Sequence, residues 1–186
     1  MALIKDRKLA ADPWKLLEAG SEGESPSVPA TGDVIVPLAV WRAQRDALLA
    51  RDGRLGVWLG GEHDPAEIAA DLGHFQLMAV RFNSFTDGRG YSTAQLLRRR
   101  YGWRGELRAI GDVQRDQLFY LARCGFDAFV VRDGEDVEAA LTAFDDFNEA
   151  YQASLETPLP LFRRRETARQ PPFTLRQAQG ERNKFA

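Results

Sequence analysis

From Asp33 onward the chain alternates short apolar runs with longer amphipathic ones. Val34-Ile-Val-Pro-Leu38 is a short apolar segment, and the stretch after it places Val40, Gln44, Ala47 and Leu48 on one helical face. Leu55–Gly60 (LGVWLG) reads as a buried strand. Asp64-Pro65-Ala66-Glu67 then opens a helix with an N-cap, a proline at the first helical position and a capping box, and Gly73 is placed to end it. The run 75–82 (FQLMAVRF) is apolar almost throughout, as expected of a strand buried on both faces. Residues 106–110 (ELRAI) and 126–132 (FDAFVVR) give two more strands. Between them lies a helix over 112–125, capped by Asp112 and closed at Gly125. A last helix over 133–151 carries the stripe Val137, Ala140, Leu141, Phe144, Phe147 and Tyr151.

Strands alternating with helices at this spacing predict βα units and a mainly parallel sheet of about five strands. Such a sheet is either open and doubly wound or a partial (β/α) barrel. The chain is too short for eight complete βα units. Residues 3–18 add a small N-terminal β-hairpin with Asp6 and Arg7 near its turn. Residues 20–33, rich in Gly, Ser, Pro and acid, read as a flexible loop. The α/β domain is expected over 1–156, with a basic disordered tail over 157–186. Within that tail FTLRQAQGER resembles translated interspersed genomic repeats.

Charge changes this picture only locally. The chain of 186 residues has 25 Lys and Arg against 27 Asp and Glu, and it is close to neutral. Seven of those cations and two acids fall in 157–186. A nucleic-acid partner is therefore not expected. One cysteine, Cys124, and two histidines, His63 and His74, give no disulfide and no metal fingerprint. No nicotinamide or flavin fingerprint is present. No apolar run reaches the ~20 residues that span a bilayer, so no membrane partner and a cytoplasmic location are expected.

The stretch 85–100, FTDGRGYSTAQLLRRR, holds the candidate chemistry. Ser92 with Gln95 reads as a capping box, and Tyr91 with Leu96 as a hydrophobic staple. Arg98, Arg99 and Arg100 would then be solvated cations at the helix end. The loop before that helix lies at the carboxyl edge of a strand, where α/β proteins bind ligands. Its glycines allow unusual backbone angles and close approach, and Arg89 offers a planar fork to an oxyanion. The anion-binding candidates are Asp87, Gly88, Arg89, Gly90, Arg108, Asp112 and Arg115. Against this, Asp87 and Arg89 can simply brace the turn, and Asp112 can be a plain helix cap. No catalytic residue is identified.

The block 85–129, together with 36–59, resembles a bacterial family of unknown function whose members are described as oxidoreductases of sulfite reduction. The resemblance extends over roughly 1–155. It implies an oxidoreductase or oxidoreductase subunit of assimilatory sulfite reduction that binds a small oxyanion, with sulfite reductase as a partner. The alternative is a noncatalytic accessory or assembly protein for sulfite reductase. Gly90-Tyr91-Ser92 and Leu97-Arg98 also resemble the helix opening of EAL phosphodiesterase domains, whose acidic metal ligands have no counterpart set here. The exposed edges of an incomplete barrel point to a homodimer.

Overall fold

A computed structural model describes residues 1–20, 26–147 and 149–169. Residues 1–148 and 149–186 form two separate units. The first contains a curled, eight-stranded sheet in the shape of half a barrel. Its strands are β1 (Ala2–Lys5), β2 (Lys8–Ala10), β3 (Lys15–Leu16), β4 (Val34–Pro37), β5 (Leu55–Leu59), β6 (Leu77–Phe82), β7 (Glu106–Gly111) and β8 (Ala128–Val131). The order across the sheet is β2-β1-β8-β7-β6-β5-β4-β3.

The five strands expected from the apolar runs are β4 to β8, all parallel to their neighbours. The count rises to eight because the N-terminal segment joins both edges of this sheet. The hairpin β1–β2 pairs antiparallel with β8, and β3 pairs parallel with β4. The hairpin turn holds Asp6 and Arg7 at positive φ (49° and 60°), the two-residue geometry that matches strand twist. From β3 to β8 the order never reverses. Right-handed crossovers moving steadily in one direction place every helix on one face, which selects the partial barrel over the doubly wound sheet.

The helices are α1 (Leu38–Leu49), α2 (Arg89–Gln95), α3 (Leu118–Cys124) and α4 (Val137–Thr142). Residues 65–74 form a 3-10 helix instead of an α-helix. The capping box of Asp64 and Glu67 is present there, but Phe75, not Gly73, ends the segment. The last helix of this unit starts after its Asp136 cap and continues as a 3-10 turn to Asp145. Of its expected stripe, Ala140 and Phe144 are buried, whereas Phe147 is 63% exposed.

Strand alternation divides the apolar residues between two faces. Val57, Leu59, Met78, Val80, Phe82, Leu107, Ala109 and Phe129 join the helices in the main core. Ile35, Trp58, Leu77, Ala79 and Ile110 point the other way, into the hollow of the half barrel, where Trp14 packs on them. In a full barrel the remaining strands would fill that hollow. Here the segment linking β2 to β3, together with Leu17 and Glu18 just after β3, crosses it as a strap. Asp12 accepts from Arg108 on β7 (2.8 Å), Trp58 donates to the Leu17 carbonyl (2.9 Å), and Glu18 pairs with Arg81 on β6.

Arg108 is 1% exposed, so its charge must be satisfied within the protein. Glu106 takes two of its nitrogens (2.8 and 2.7 Å) and also accepts from Lys5 (2.7 Å). That bond to Glu106 is the main cause of a raised Lys5 pKa.

At the opposite end of the strands from the candidate loop, Arg98 ties the sheet together. Helix α2 passes into a π-helical turn, Leu96–Arg100, in which Tyr101 donates to the Leu96 carbonyl (3.0 Å). Gly102 follows at φ 68°. Contrary to expectation, Arg98 is not a solvated helix-end cation: only 12% of its side chain is exposed. It donates to the carbonyls of Gly125 (2.9 Å), Trp103 (3.0 Å) and Gly105 (2.8 Å), and to Asp127 (2.7 Å). Asp127 in turn accepts from the Leu107 N–H (2.8 Å), and burial pushes its carboxyl pKa up. Arg99 and Arg100 are exposed.

Of the loop expected over 20–33, residues 21–25 lie outside the described residues. The Pro29 carbonyl accepts from Arg51 (3.2 Å) and the Pro26 carbonyl from Gln44 (3.3 Å). A cleft of about 530 Å³ opens between this segment and the end of α1. In the second unit, α5 (Leu161–Arg169) lies within the segment expected as a tail, and residues 170–186 lie outside the described residues. Arg164 there pairs with Glu149 (2.7 Å). No helix among the described residues is long and apolar enough to cross a membrane.

Replacing Arg98 by Ala leaves three carbonyls and Asp127 without their donor. The expected loss is about 2–3 kcal/mol of unfolding free energy. Arg98→Lys should recover little, because an ammonium cannot reach four divergent acceptors. Urea denaturation of the parent and both variants measures this, and an unchanged midpoint in Arg98→Ala would refute the role.

Candidate functional site

The carboxyl ends of β5, β6, β7 and β8 form a rim of turns, and three arginines rise there. Arg81 is the next-to-last residue of β6, Arg89 opens α2 and Arg132 follows β8. Each has a carboxylate partner inside the protein. Arg81 pairs with Glu18 and lies over the Trp58 ring at 5.1 Å. Arg89 makes a forked contact to Asp87, Nε to Oδ1 at 2.9 Å and Nη2 to Oδ2 at 2.8 Å. Arg132 bonds Glu135 (3.0 Å) and Asp112 (3.1 Å).

The loop after β6 is shaped by its own side chains. The Asp87 N–H donates to the Ser84 carbonyl (3.0 Å), and the Asp87 carboxylate accepts from the Arg89 N–H (3.2 Å). Gly88 sits at φ −82°, an angle open to any residue. Gly90 is buried in the first turn of α2, where a Cβ would come within 2.6 Å of the Phe82 ring. Close packing against β6, not unusual backbone angles, is therefore what this second glycine provides. The helix starts at Arg89 with Gly88 as its unassisted cap, so Ser92 is a mid-helix residue and not the N-cap. The cap signal at Ser92 loses because Gly90 must already be helical to pack on Phe82.

Asp112 is not a helix cap either. Gln114 caps the following 3-10 turn through a reciprocal box with Gln117. Asp112 instead joins three elements: it accepts from the Phe85 N–H (3.0 Å), the Gln114 amide (3.2 Å) and Arg132. Gly111, at φ 93°, makes the sharp exit from β7, and a side chain there would run into the Phe82 carbonyl.

The structure thus places Asp87, Gly88, Arg89 and Gly90 together in one loop, tied to Asp112 through Phe85. Arg115 turns away, to the Ala139 carbonyl (3.1 Å) and Asp146 (2.8 Å) on the α4 side. Arg108 lies three residues before the end of β7, about 10 Å below the rim, and is buried under the strap. These two do not meet Arg89. Cys124 is buried, and burial is the main cause of its raised thiol pKa; the Gln95 amide lies 3.8 Å from its sulfur. Among the described residues no group of three or more His, Cys, Asp or Glu is placed to hold a metal ion.

Sequence reasoning overlooked the turn after β5. The His63 N–H donates to the Gly60 carbonyl (3.2 Å), and the Gly60 N–H donates back to the His63 imidazole Nδ1 (2.9 Å). Glu62 Oε1 lies 3.3 Å from the same nitrogen. The Asp87–Arg89 pair packs on Gly61, where a Cβ would come within 2.8 Å of both Arg89 Nε and Asp87 Oδ2. The pattern Gly-Gly-Glu-His directly after a buried strand was the available signal.

The Arg89 guanidinium beside Asp87 holds that carboxyl below the usual carboxylate range, chiefly by direct hydrogen bonding. A folded-state pKa below the unfolded one stabilises the protein above the ordinary carboxylate range. The contribution is lost as pH falls through the folded value. In Arg89→Ala the Asp87 midpoint should move up toward the ordinary range in a carboxyl carbon-13 NMR titration. A midpoint that stays depressed would show that Arg89 is not its cause.

The model of a bacterial protein family of unknown function, DUF934, matches residues 56–162. The match includes the whole block 85–129 and only the last four residues of 36–59. No curated protein matches the chain.

Proposed function

This chain belongs to the bacterial DUF934 family of unknown function, and from that premise we propose that it is an oxyanion-binding oxidoreductase, or oxidoreductase subunit, of assimilatory sulfite reduction. The observation that carries the anion site is Arg89. Its side chain is 59% exposed at the carboxyl rim, and Asp87 holds its Nε and Nη2. The remaining nitrogen, Nη1, has no partner among the described residues, so the side chain is oriented but not exhausted as a donor. The sulfite part of the reading is supported by the resemblance of the 85–129 block. Electrons would come from a partner or an exchangeable cofactor.

If the rim binds sulfite, thermal scanning of the parent should show a melting temperature that rises with sulfite concentration. In Arg89→Ala that response should weaken about tenfold or more, the weight of one hydrogen bond to a charged group. No sulfite-dependent rise in the parent would overturn the site.

A second reading, a noncatalytic accessory protein that binds sulfite reductase, draws support from Cys124 and the rim. The sole cysteine is buried with its thiol pKa raised, and each rim arginine is braced by a neighbouring carboxylate. That suits a fixed docking surface better than a thiol-based reaction. It predicts a stable complex with sulfite reductase on co-purification and no turnover by the isolated chain. Failure to associate would remove this reading.

A further inference from the structure

The turn at 60–63 is built around an imidazole whose two nitrogens have different duties. In neutral His63 the Nδ1 lone pair accepts the Gly60 N–H (2.9 Å), so the ring proton resides on Nε2. In protonated His63 the Nδ1–H turns to Glu62 Oε1, 3.3 Å away, and Nε2 again carries a proton. In both states Nε2 is a donor, and it has no partner among the described residues. The side chain is 24% exposed, in the turn after the carboxyl end of β5.

The same turn presses against Arg89 through Gly61. Glu62 is close enough to add to the raised pKa of Arg89, after the larger effect of Asp87. The Glu62 carboxylate folds back over Gly60, and when His63 is neutral it has no donor among the described residues. Two donors without acceptors, Arg89 Nη1 and His63 Nε2, therefore share the rim with one acceptor without a donor. Asp87 adds no second free acceptor, because Arg89 neutralises it.

We propose that this part of the rim selects an oxyanion that still carries an acidic O–H, such as hydrogensulfite or hydrogenphosphate, over fully deprotonated sulfate. Arg89 Nη1 and His63 Nε2 donate to the ligand's bare oxygens, and its O–H donates to Glu62. A sulfate dianion offers Glu62 only lone pairs, and two acceptors facing each other cost more than a missing bond. This selectivity rests on the reading of Arg89 as an anion ligand.

Isothermal titration of the full chain with phosphate, sulfite and sulfate at neutral pH and matched ionic strength tests it, in the parent, His63→Asn and Glu62→Gln. Asn at 63 keeps an acceptor for the Gly60 N–H and removes the Nε2 donor, so the turn is retained. Phosphate and sulfite should bind the parent at least tenfold more tightly than sulfate. His63→Asn should weaken both about tenfold, and Glu62→Gln, whose amide can donate, should bring sulfate to parity with phosphate. Sulfate binding as tightly as phosphate, with Glu62→Gln without effect, overturns the selectivity and leaves the anion site standing. Failure of all three anions to bind overturns both.

Discussion

A sheet that curls without closing leaves its inner face uncovered, and the constraint is sharpest at Arg108. A guanidinium at 1% exposure costs several kcal/mol to desolvate unless its donors all find acceptors. Glu106 on the same strand meets part of that demand. The rest comes from Asp12, 96 positions away in the chain, which only the strap can deliver. The strap's other anchors follow from the same crossing. Trp14 fills the hollow against Ile35, Trp58 and Ile110, and Glu18 reaches Arg81. Edge strands of two or three residues, β2 and β3, hold this segment to the two edges of the sheet.

Steady progression from β3 to β8 also determines where chemistry can occur. A doubly wound sheet places its crevice where the strand order reverses, and here it does not reverse. The carboxyl rim is what remains, as in complete barrels. The two ends of the strands then use arginine differently. At the amino end Arg98 is enclosed and directed at backbone carbonyls, which holds β7 and β8 in place. At the carboxyl end Arg89 is exposed and held by a single carboxylate, which fixes a geometry without consuming the whole side chain.

The parallel strands were legible because β5, β6 and β8 are largely apolar on both faces and the runs of β5 to β8 are bounded by Gly, Pro or charge. The hairpin was legible from Asp6-Arg7 between short apolar runs. What could not be read locally was joined by distant parts of the chain. The pairing of β1 with β8 and the strap's place under β7 depend on contacts about a hundred residues apart. Local helix grammar failed at Ser92, where the contact between Gly90 and Phe82 overrode a capping box. It failed again at Arg98, which a sequence reading assigns to solvent because three successive arginines resemble a helix end. At the rim, Asp87 and Arg89 were visible as a pair, while Arg108 and Arg115 were drawn in by proximity along the chain. His63 makes no metal spacing with His74, and its bond to the Gly60 N–H depends on a turn whose only mark in the sequence is Gly-Gly-Glu-His after a strand.

The pairing of β1 with β8 has a consequence for how this chain comes to its fold. Residues 2–5 are made well before their partners at 128–131, which follow about 125 residues later. The hairpin β1–β2 can form early from local contacts, but it has no sheet to join until β8 exists. The Arg108–Asp12 bond likewise waits for β7. Contacts of such long sequence separation slow folding. The segment that seals the half barrel is thus made before the strands it joins and is among the last to be placed, and until then the apolar hollow stands open to whatever assists the nascent chain.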